Sequence, residues 1–171
     1  MSVIWLTGLS GAGKSTVAEK LAIRIGGQIV DGDMVRRSIS SDLKPGQTDR
    51  KEHYRRVINY IKSILNDSQS VIATFVSPEK HQRDWIKTQF DVAGIPFYEI
   101  YIKASLQTCE KRDVKGLYSQ YRRGNDIKLA GLTEEYEEPD KPAAVCNTDR
   151  ETLEECVSQI LVSIGHKVVD Q

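Results

Sequence analysis

The chain lacks an excess of either charge, and this limits the partners that it can attract. Its 171 residues include 24 basic and 24 acidic side chains, so the formal net charge is zero. Without a net positive field, there is no electrostatic reason to expect binding to nucleic acid or to an anionic membrane. We therefore expect no nucleic-acid partner and no membrane partner.

The chain also lacks a long apolar run and a recognisable leader. No stretch approaches the length of a membrane span. The first apolar run stops at Gly8 with no basic segment before it, unlike a secretory signal. The three cysteines, Cys109, Cys146 and Cys156, show no C-x-x-C spacing, so we interpret them as reduced, buried thiols of a cytoplasmic protein. The length fits one domain, residues 1–171, with a sizeable core.

Short apolar runs alternate with segments of helical periodicity along the chain. The apolar runs predict strands at 3–7, 28–30, 70–76, 97–102 and 143–146. Helices are predicted at 15–26, 33–40, 49–66, 79–93, 105–113 and 152–165. This alternation predicts an α/β fold, a parallel sheet with helices on both faces. Residues 41–48 and 114–142 are predicted loops, and the second is long enough to form an active-site lid.

The stretch from Gly8 to Ser15, GLSGAGKS, fits the phosphate-binding pattern G-x-x-x-x-G-K-[ST] between a predicted strand and a predicted helix. In this motif, glycines let the backbone approach phosphate, and the helix dipole favours its charge. We expect Lys14 to reach the β- and γ-phosphates of ATP and Ser15 to ligate Mg²⁺. The chain is thus predicted to have the three-layer P-loop NTPase fold. The residues of this segment expected to bind ATP are Gly8, Ser10, Gly11, Ala12, Gly13, Lys14, Ser15 and Thr16.

Two other motifs of nucleotide-binding proteins are absent. No apolar strand ends in an obvious Walker-B aspartate, and the GTPase base-recognition sequence N-K-x-D does not occur. These absences disfavour a large mechanical ATPase and a GTPase switch. A small kinase remains.

The second predicted strand is followed by Asp31-Gly32-Asp33. Asp33 lies where a helix would begin, which is typical of an N-cap. A carboxylate just past a strand could equally contact Mg²⁺ through water or accept a proton from an attacking hydroxyl, and spacing alone does not decide between these roles. Arg36, one helical turn further on, fits either a contact with an anionic substrate or a solvated surface position.

Beyond the phosphate loop, a series of short motifs resembles adenylylsulfate kinase from residue 4 to about residue 164. The most specific is the segment from Cys109 to Tyr118, CEKRDVKGLY, because P-loop kinases in general lack it. The others are DGD at 31–33 with Arg36, DR at 49–50 with RR at 55–56, SP at 77–78, Gly131 and YEEP at 136–139. The resemblance implies transfer of the γ-phosphate of ATP to the ribose 3′-hydroxyl of adenosine 5′-phosphosulfate, which gives PAPS.

The resemblance also implies roles for individual residues. Asp33 would lie near the attacking hydroxyl, Arg112 would pack on the adenine of ATP, and Lys115 in the lid would meet phosphate or substrate. Ordinary surface positions are the alternatives for Arg112 and Lys115, and Ser77 also fits an N-cap with Pro78 in the first helical position. The expected catalytic residues are Asp33, Lys14 and Lys115. The residues expected to bind the acceptor are Asp33, Arg36, Pro45, Arg50, His53, Val76, Ser77, Lys115, Gly116, Leu117 and Leu129.

Three positions depart from the family pattern around the acceptor base. Pro45 and Leu129 stand where the family usually has the two phenylalanines that sandwich the adenine, and His53 replaces a substrate-facing asparagine. Loss of both rings removes stacking of about 1–3 kcal/mol per contact, by analogy with base stacking in single-strand binders. We therefore expect the phosphate and hydroxyl chemistry to be intact and base recognition to be altered.

Three functions stay open at this point. The favoured one is phosphorylation of adenylyl sulfate. The second is 3′-phosphorylation of another nucleotide anhydride, such as CDP-phosphoramidate in capsule synthesis. The third is an inactive nucleotide-binding regulator, which the retention of Lys14, Asp33 and Lys115 disfavours. A homodimer is also an open expectation, because members of the resembled family are often dimers.

Overall fold

The computed structural model describes residues 1–43, 47–65 and 69–166 and contains a five-stranded parallel sheet. The strands are β1 (Val3–Thr7), β2 (Gln28–Asp31), β3 (Val71–Thr74), β4 (Phe97–Lys103) and β5 (Ala144–Asn147), in the order β2-β3-β1-β4-β5. The helices are α1 (Lys14–Ile25), α2 (Gly32–Ile39), α3 (Gln47–Ile64), α4 (Lys80–Asp91), α5 (Leu106–Arg112), α6 (Leu117–Arg122) and α7 (Leu153–Ser163). The predicted α/β class is confirmed, and all the predicted strands are present.

The two faces of the sheet are covered by separate apolar clusters. Ile4 and Leu6 of β1 pack in one cluster with side chains of α1 and α7. Val3 and Trp5 pack in the other cluster with side chains of α3 and α4. These four side chains and that of Thr7, the last residue of β1, are fully buried. A parallel strand with helices over both faces must be apolar on both, which explains the unbroken apolar run at the start of the chain.

The connections that follow β3 and β4, the two strands beside β1, cross to opposite faces of the sheet. After β3, helix α4 packs on the cluster that contains Trp5, whereas after β4, helix α5 contributes Cys109 to the other cluster. The connections therefore diverge around the carboxyl end of β1. In open α/β sheets, such a divergence leaves the crevice where ligands bind.

The segment 114–142, predicted as a loop throughout, contains the short helix α6. Asp113 explains where this helix begins, because its carboxylate accepts hydrogen bonds from the backbone N–H groups of Tyr118 at 3.0 Å and Ser119 at 2.9 Å. The end of the segment is tied to the sheet, since the hydroxyl groups of Tyr136 and Thr7 lie 2.9 Å apart. The function of this segment as a lid stays a prediction.

Two expectations drawn from composition can be compared with the structure. Cys109, Cys146 and Cys156 are free and buried, as the sequence predicted. Within the described ranges, none of the helices has both the length and the apolar character needed to cross a membrane.

Helix α7 begins with a capping box, in which two residues cap each other, and its contribution to stability can be tested. The hydroxyl of Thr152 accepts from the N–H of Glu155 at 3.3 Å, and the Glu155 carboxylate accepts from the N–H of Thr152 at 2.7 Å. We expect Thr152→Ala to lower the free energy of unfolding by about 1 kcal/mol, because an N-terminal N–H loses its partner. Urea denaturation measures this loss, and Thr152→Ser should preserve stability. Equal losses in both variants would assign the effect to the methyl group instead.

Candidate active site

A cleft of about 380 Å³ opens beyond the carboxyl ends of β1, β2 and β3. The phosphate loop, the β2–α2 turn, the end of β3, the start of the lid segment and the loop after β5 form its walls. Ten residues that the sequence predicted for the site line it: Ser10, Gly11, Gly13, Lys14, Ser15, Thr16, Asp33, Val76, Arg112 and Lys115. The fold thus brings together the predicted triphosphate site and the residues predicted to be catalytic.

Two glycines give the phosphate loop its path. Gly8 has a φ of 150°, and an added Cβ would lie 2.2 Å from the carbonyl oxygen of Ile102 on β4. Gly13, directly before α1, has a φ of 103°. Only glycine adopts such conformations at low cost. They let the chain leave β1, pass close to β4 and place the N-terminus of α1 at the cleft, where its unpaired N–H groups favour an anion.

Lys14 lies over its own loop. Its Nζ donates hydrogen bonds to the carbonyl oxygens of Gly8 and Leu9, both at 2.8 Å. Burial, followed by the positive charge of Lys115, lowers the pKa of Lys14 to about 8. The positive charge of Lys14, which is predicted to bind phosphate, is therefore lost as the pH rises through the mildly alkaline range.

The structure separates the roles of the two aspartates after β2. Asp31 caps α2, because its Oδ1 accepts from the N–H groups of Asp33 at 3.0 Å and Met34 at 3.2 Å. Its Oδ2 accepts from the hydroxyl of Thr74 at 3.0 Å. The interpretation of Asp33 as the N-cap is therefore wrong. The Asp33 carboxylate forms an ion pair with Lys115 in the cleft instead.

Arg112, the last residue of α5, lies against the outside of the phosphate loop. Its Nη1 donates to the carbonyl oxygens of Gly11 at 3.2 Å and Ala12 at 3.3 Å, and to the hydroxyl of Thr148 at 3.0 Å. Its Nη2 donates to the carbonyl oxygen of Thr148 at 2.9 Å. These bonds hold both terminal nitrogens of the guanidinium and fix its plane beside the cleft.

Arg50 lies outside this cleft and lines a separate cavity of about 460 Å³. Its guanidinium pairs with the carboxylates of Glu79, which precedes α4, and Glu134, at 3.1 Å, in the lid segment. All three side chains are about four-fifths to three-quarters buried. Arg50 thus connects α3 to two other parts of the chain, and its contact with an acceptor stays a prediction.

His53 and Leu129 are buried, at 6% and 4% exposure, and neither is among the residues that line the cleft. His53 packs near the rings of Tyr54 and Phe75, with centroids 5.4 Å and 6.1 Å away. Burial, and next the charge of nearby arginines, lowers the pKa of His53 to about 4, so the imidazole is neutral at pH 7. Leu129 belongs to the apolar cluster that includes α1 and α7.

Ser77 is buried at 1% exposure, and its hydroxyl accepts a hydrogen bond from the indole N–H of Trp5 at 2.9 Å. Its φ is 39°, and the N-cap of α4 is Glu79. The prediction of Ser77 as an N-cap is therefore wrong, and so is Pro78 as the first helical residue, because α4 begins at Lys80.

Three further predicted acceptor residues, Arg36, Gly116 and Leu117, are not among the residues that line the cleft. Arg36 donates from Nη2 to the carbonyl oxygen of Leu43 at 3.2 Å. Gly116, with a φ of 66°, precedes α6, and Leu117 packs against the apolar cluster. Pro45 lies outside the residues that the structure describes.

Sequence reasoning missed several residues that line the cleft, among them Thr74, Phe75, Thr148 and Glu151. Thr74 ends β3, Phe75 follows it, and Thr148 follows β5 directly. The rule that ligands bind beyond the carboxyl ends of strands was the available signal. The Phe75 side chain is 5% exposed, and its ring stacks on Trp5 with centroids 4.5 Å apart and planes 9° apart.

Comparisons with known proteins show that nearly the whole chain is similar to adenylylsulfate kinases. A family model described as adenylylsulphate kinase matches residues 1–147. The adenylyl-sulfate kinase of Bacillus licheniformis is 40% identical over 165 residues, covering 94% of this chain and 83% of that protein. The one from Paraburkholderia xenovorans is 39% identical over 168 residues, covering 95% and 92%. A structure of the Mycobacterium tuberculosis APS kinase in complex with AMPPNP and APS has a TM-score of 0.88 at 30% identity, covering 96% and 97%.

The lowered pKa of Lys14 makes a prediction about pH. We expect the affinity for AMPPNP, measured by calorimetry, to fall as the pH rises through about 8, because Lys14 then loses the proton that attracts phosphate. Lys115→Met removes a positive neighbour and should move this decline to higher pH. Lys111→Met, an exposed change on α5, should leave it in place. An affinity that stays constant across this range, or a midpoint unmoved in Lys115→Met, contradicts the prediction.

Proposed function

Because the chain belongs to the adenylylsulfate kinase family, we propose that it transfers the γ-phosphate of ATP to the ribose 3′-hydroxyl of adenosine 5′-phosphosulfate, which gives PAPS. The observation that carries this proposal is the convergence of Lys14, Asp33 and Lys115 in one cleft. Phosphoryl transfer to an alcohol is catalysed mainly by positioning and by neutralising charge on the transferred group. In this cleft the two lysines would neutralise the charge and the carboxylate would position the hydroxyl.

The cleft also fits Mg²⁺ as the partner of ATP. Ser15, Asp31 and Asp33 present oxygen atoms there, which is the ligand type that Mg²⁺ prefers. Among the described residues there is no group of three or more His, Cys, Asp or Glu that could hold a metal alone, which suits an ion held largely through phosphates. When bound, Mg²⁺ would neutralise charge on the β- and γ-phosphates. In this proposal Ser15 is its direct ligand.

Asp33 is free for chemistry because Asp31 already caps the helix. In our proposal, the Asp33 carboxylate orients the 3′-hydroxyl and accepts its proton late in the reaction. Lys14 and Lys115 neutralise the transferred phosphate. The terminal nitrogens of Arg112 donate hydrogen bonds to carbonyl oxygens. The planar face of the guanidinium therefore stays available to pack on the adenine of ATP.

We propose that the acceptor lies beyond Asp33, against the connections after β2 and β3. Val76 and Phe75 line the cleft on that side, and the Phe75 ring itself is 5% exposed and stacked on Trp5. The other residues proposed for the acceptor are Arg36, Pro45, Arg50, His53, Ser77, Gly116, Leu117 and Leu129. Four of these, Arg50, His53, Ser77 and Leu129, are paired or buried in the structure, so contact with the acceptor requires them to turn or be uncovered.

We further propose that the protein acts in the cytoplasm as a homodimer. Its buried free thiols support a reducing compartment. The dimer is supported by the resembled family, whose members are often dimers. Light scattering on the purified chain tests the assembly.

Substitution of Asp33 tests the mechanism. Asp33→Asn keeps the size of the side chain but removes the charge that accepts the proton. We expect turnover to fall at least about a hundredfold, with little change in AMPPNP affinity or melting temperature. Asp84→Asn, an exposed change on α4, should leave all three unchanged. A drop in melting temperature without a loss of turnover per folded molecule would make Asp33 a structural residue.

A panel of acceptors tests the substrate. We expect adenylyl sulfate to give the highest kcat/KM, because the cleft retains the phosphate and hydroxyl chemistry of the family. Lys14→Ala is the negative control, since loss of this cation should lower turnover by orders of magnitude. The replacement of both base-stacking rings by Pro45 and Leu129 favours a second candidate, a cytidylyl anhydride such as CDP-phosphoramidate. A tenfold higher kcat/KM for that acceptor would overturn adenylyl sulfate and keep the 3′-kinase chemistry.

A further inference from the structure

Every carbonyl oxygen of the phosphate loop from Gly8 to Ala12 accepts a hydrogen bond in the structure. Lys14 holds the oxygens of Gly8 and Leu9. The remaining three are held by groups from outside the loop. These bonds run from the Tyr118 hydroxyl to Ser10 at 3.0 Å, from Arg112 to Gly11 at 3.2 Å, and from the Thr148 hydroxyl to Ala12 at 2.8 Å. The outer side of the loop is therefore hydrogen-bonded to α5, α6 and the segment after β5.

Holding a carbonyl oxygen also orients an N–H group. The peptide unit is planar and trans, so its C=O and N–H bonds point in opposite directions. When the Ser10 oxygen is bound to Tyr118, the N–H of Gly11 must point the other way. The Ala12 oxygen and the N–H of Gly13 are linked in the same manner. Gly11 and Gly13 both line the cleft.

We infer that Tyr118 and Thr148 are positioning residues, which orient the N–H groups of Gly11 and Gly13 toward the phosphates of ATP through their hydrogen bonds to Ser10 and Ala12. Neither hydroxyl needs to contact the reacting atoms. Tyr118 is 3% exposed and is not among the residues that line the cleft. The inference rests on the proposed function only in taking ATP as the phosphoryl donor.

Thr148 is well placed for this role because its own position is fixed. Its N–H donates to the carbonyl oxygen of Lys103, the last residue of β4, at 2.9 Å. Its hydroxyl accepts from Arg112 at 3.0 Å while donating to Ala12. Thr148 thus links the end of β4, through its N–H, and the end of α5, through its hydroxyl, to the phosphate loop.

The test removes each hydroxyl with little change of shape, in Tyr118→Phe and Thr148→Val. We expect the KM for ATP and the dissociation constant for AMPPNP to rise about fivefold in each variant, which corresponds to about 1 kcal/mol for one hydrogen bond. The kcat and the KM for adenylyl sulfate should stay within about twofold, because phosphates that remain on the nucleotide are bound alike before and in the transition state.

Two conservative variants separate positioning from stability. Thr148→Ser keeps the hydroxyl and should restore wild-type AMPPNP affinity. Tyr121→Phe removes a neighbouring hydroxyl of α6 that, within the described residues, makes no bond to the loop, and it should change nothing. If Tyr118→Phe fails to fold, the Val and Ser variants at position 148 still decide the question.

Specific outcomes would overturn the inference. One is an unchanged AMPPNP affinity in Thr148→Val. Another is a loss of AMPPNP affinity in Thr148→Val that Thr148→Ser does not restore. A third is a loss of affinity that is matched by the KM for adenylyl sulfate and follows the melting temperature. Because calorimetry with AMPPNP needs no acceptor, a failure to phosphorylate adenylyl sulfate would count against the proposed function and leave this inference standing.

Discussion

The absence of a side chain at Gly8 is the constraint on which the site depends. A Cβ there would meet the carbonyl oxygen of Ile102 at 2.2 Å, far inside contact distance. Without it, the backbone passes directly against β4 as it leaves β1, and α1 begins over the end of the central strand. The N–H groups at the N-terminus of α1 therefore lie at the crevice between the diverging connections. The later elements, α5, α6 and the loop after β5, then close around a loop whose path is already set.

A second feature of the fold is the division of work between Asp31 and Asp33. Both follow β2, and both are capable of capping a helix or binding an ion. The Thr74 hydroxyl binds Asp31 from the neighbouring strand and holds it in the turn, so Asp31 takes the cap. Asp33, two residues on, is left at the cleft with a cation beside it. Because Asp31 fills the structural role, Asp33 is available for the chemical role that we propose, and each substitution should affect a different property.

The parts of the structure that were predicted from sequence rest on local patterns. Apolar runs located the strands, and the phosphate loop carried its own signature from Gly8 to Ser15. The errors concern contacts between distant parts of the chain. The pairing of Arg50 with Glu79 and Glu134, which lie 29 and 84 positions away, has no local signal. Sequence left the role of Asp33 open for the same reason, since a partner on β3 selects Asp31 as the cap of α2.

The short helix α6 shows another limit of local reasoning. Glycines at both ends, Gly116 and Gly124, favour a loop, and the helix between them is only six residues long. Its start depends on Asp113, whose left-handed backbone (φ 30°) turns its carboxylate toward the N–H groups of Tyr118 and Ser119. That conformation could not be predicted from an isolated aspartate. Tyr118, the second residue of this helix, in turn donates a hydrogen bond to the carbonyl oxygen of Ser10 in the phosphate loop.

The ion pair between Asp33 and Lys115 links these features to function. Both side chains are about half exposed, at 53% and 47%. A pair this exposed contributes at most about 1 kcal/mol, because water screens the charges and both side chains lose freedom. A triphosphate carries several negative charges and is a stronger partner for a lysine than one solvated carboxylate. In the proposed mechanism, exchange of Lys115 from Asp33 to phosphate would therefore cost little. The same exchange would uncover the carboxylate when the donor nucleotide is in place, so the pair would keep Asp33 in the cleft without a permanent partner.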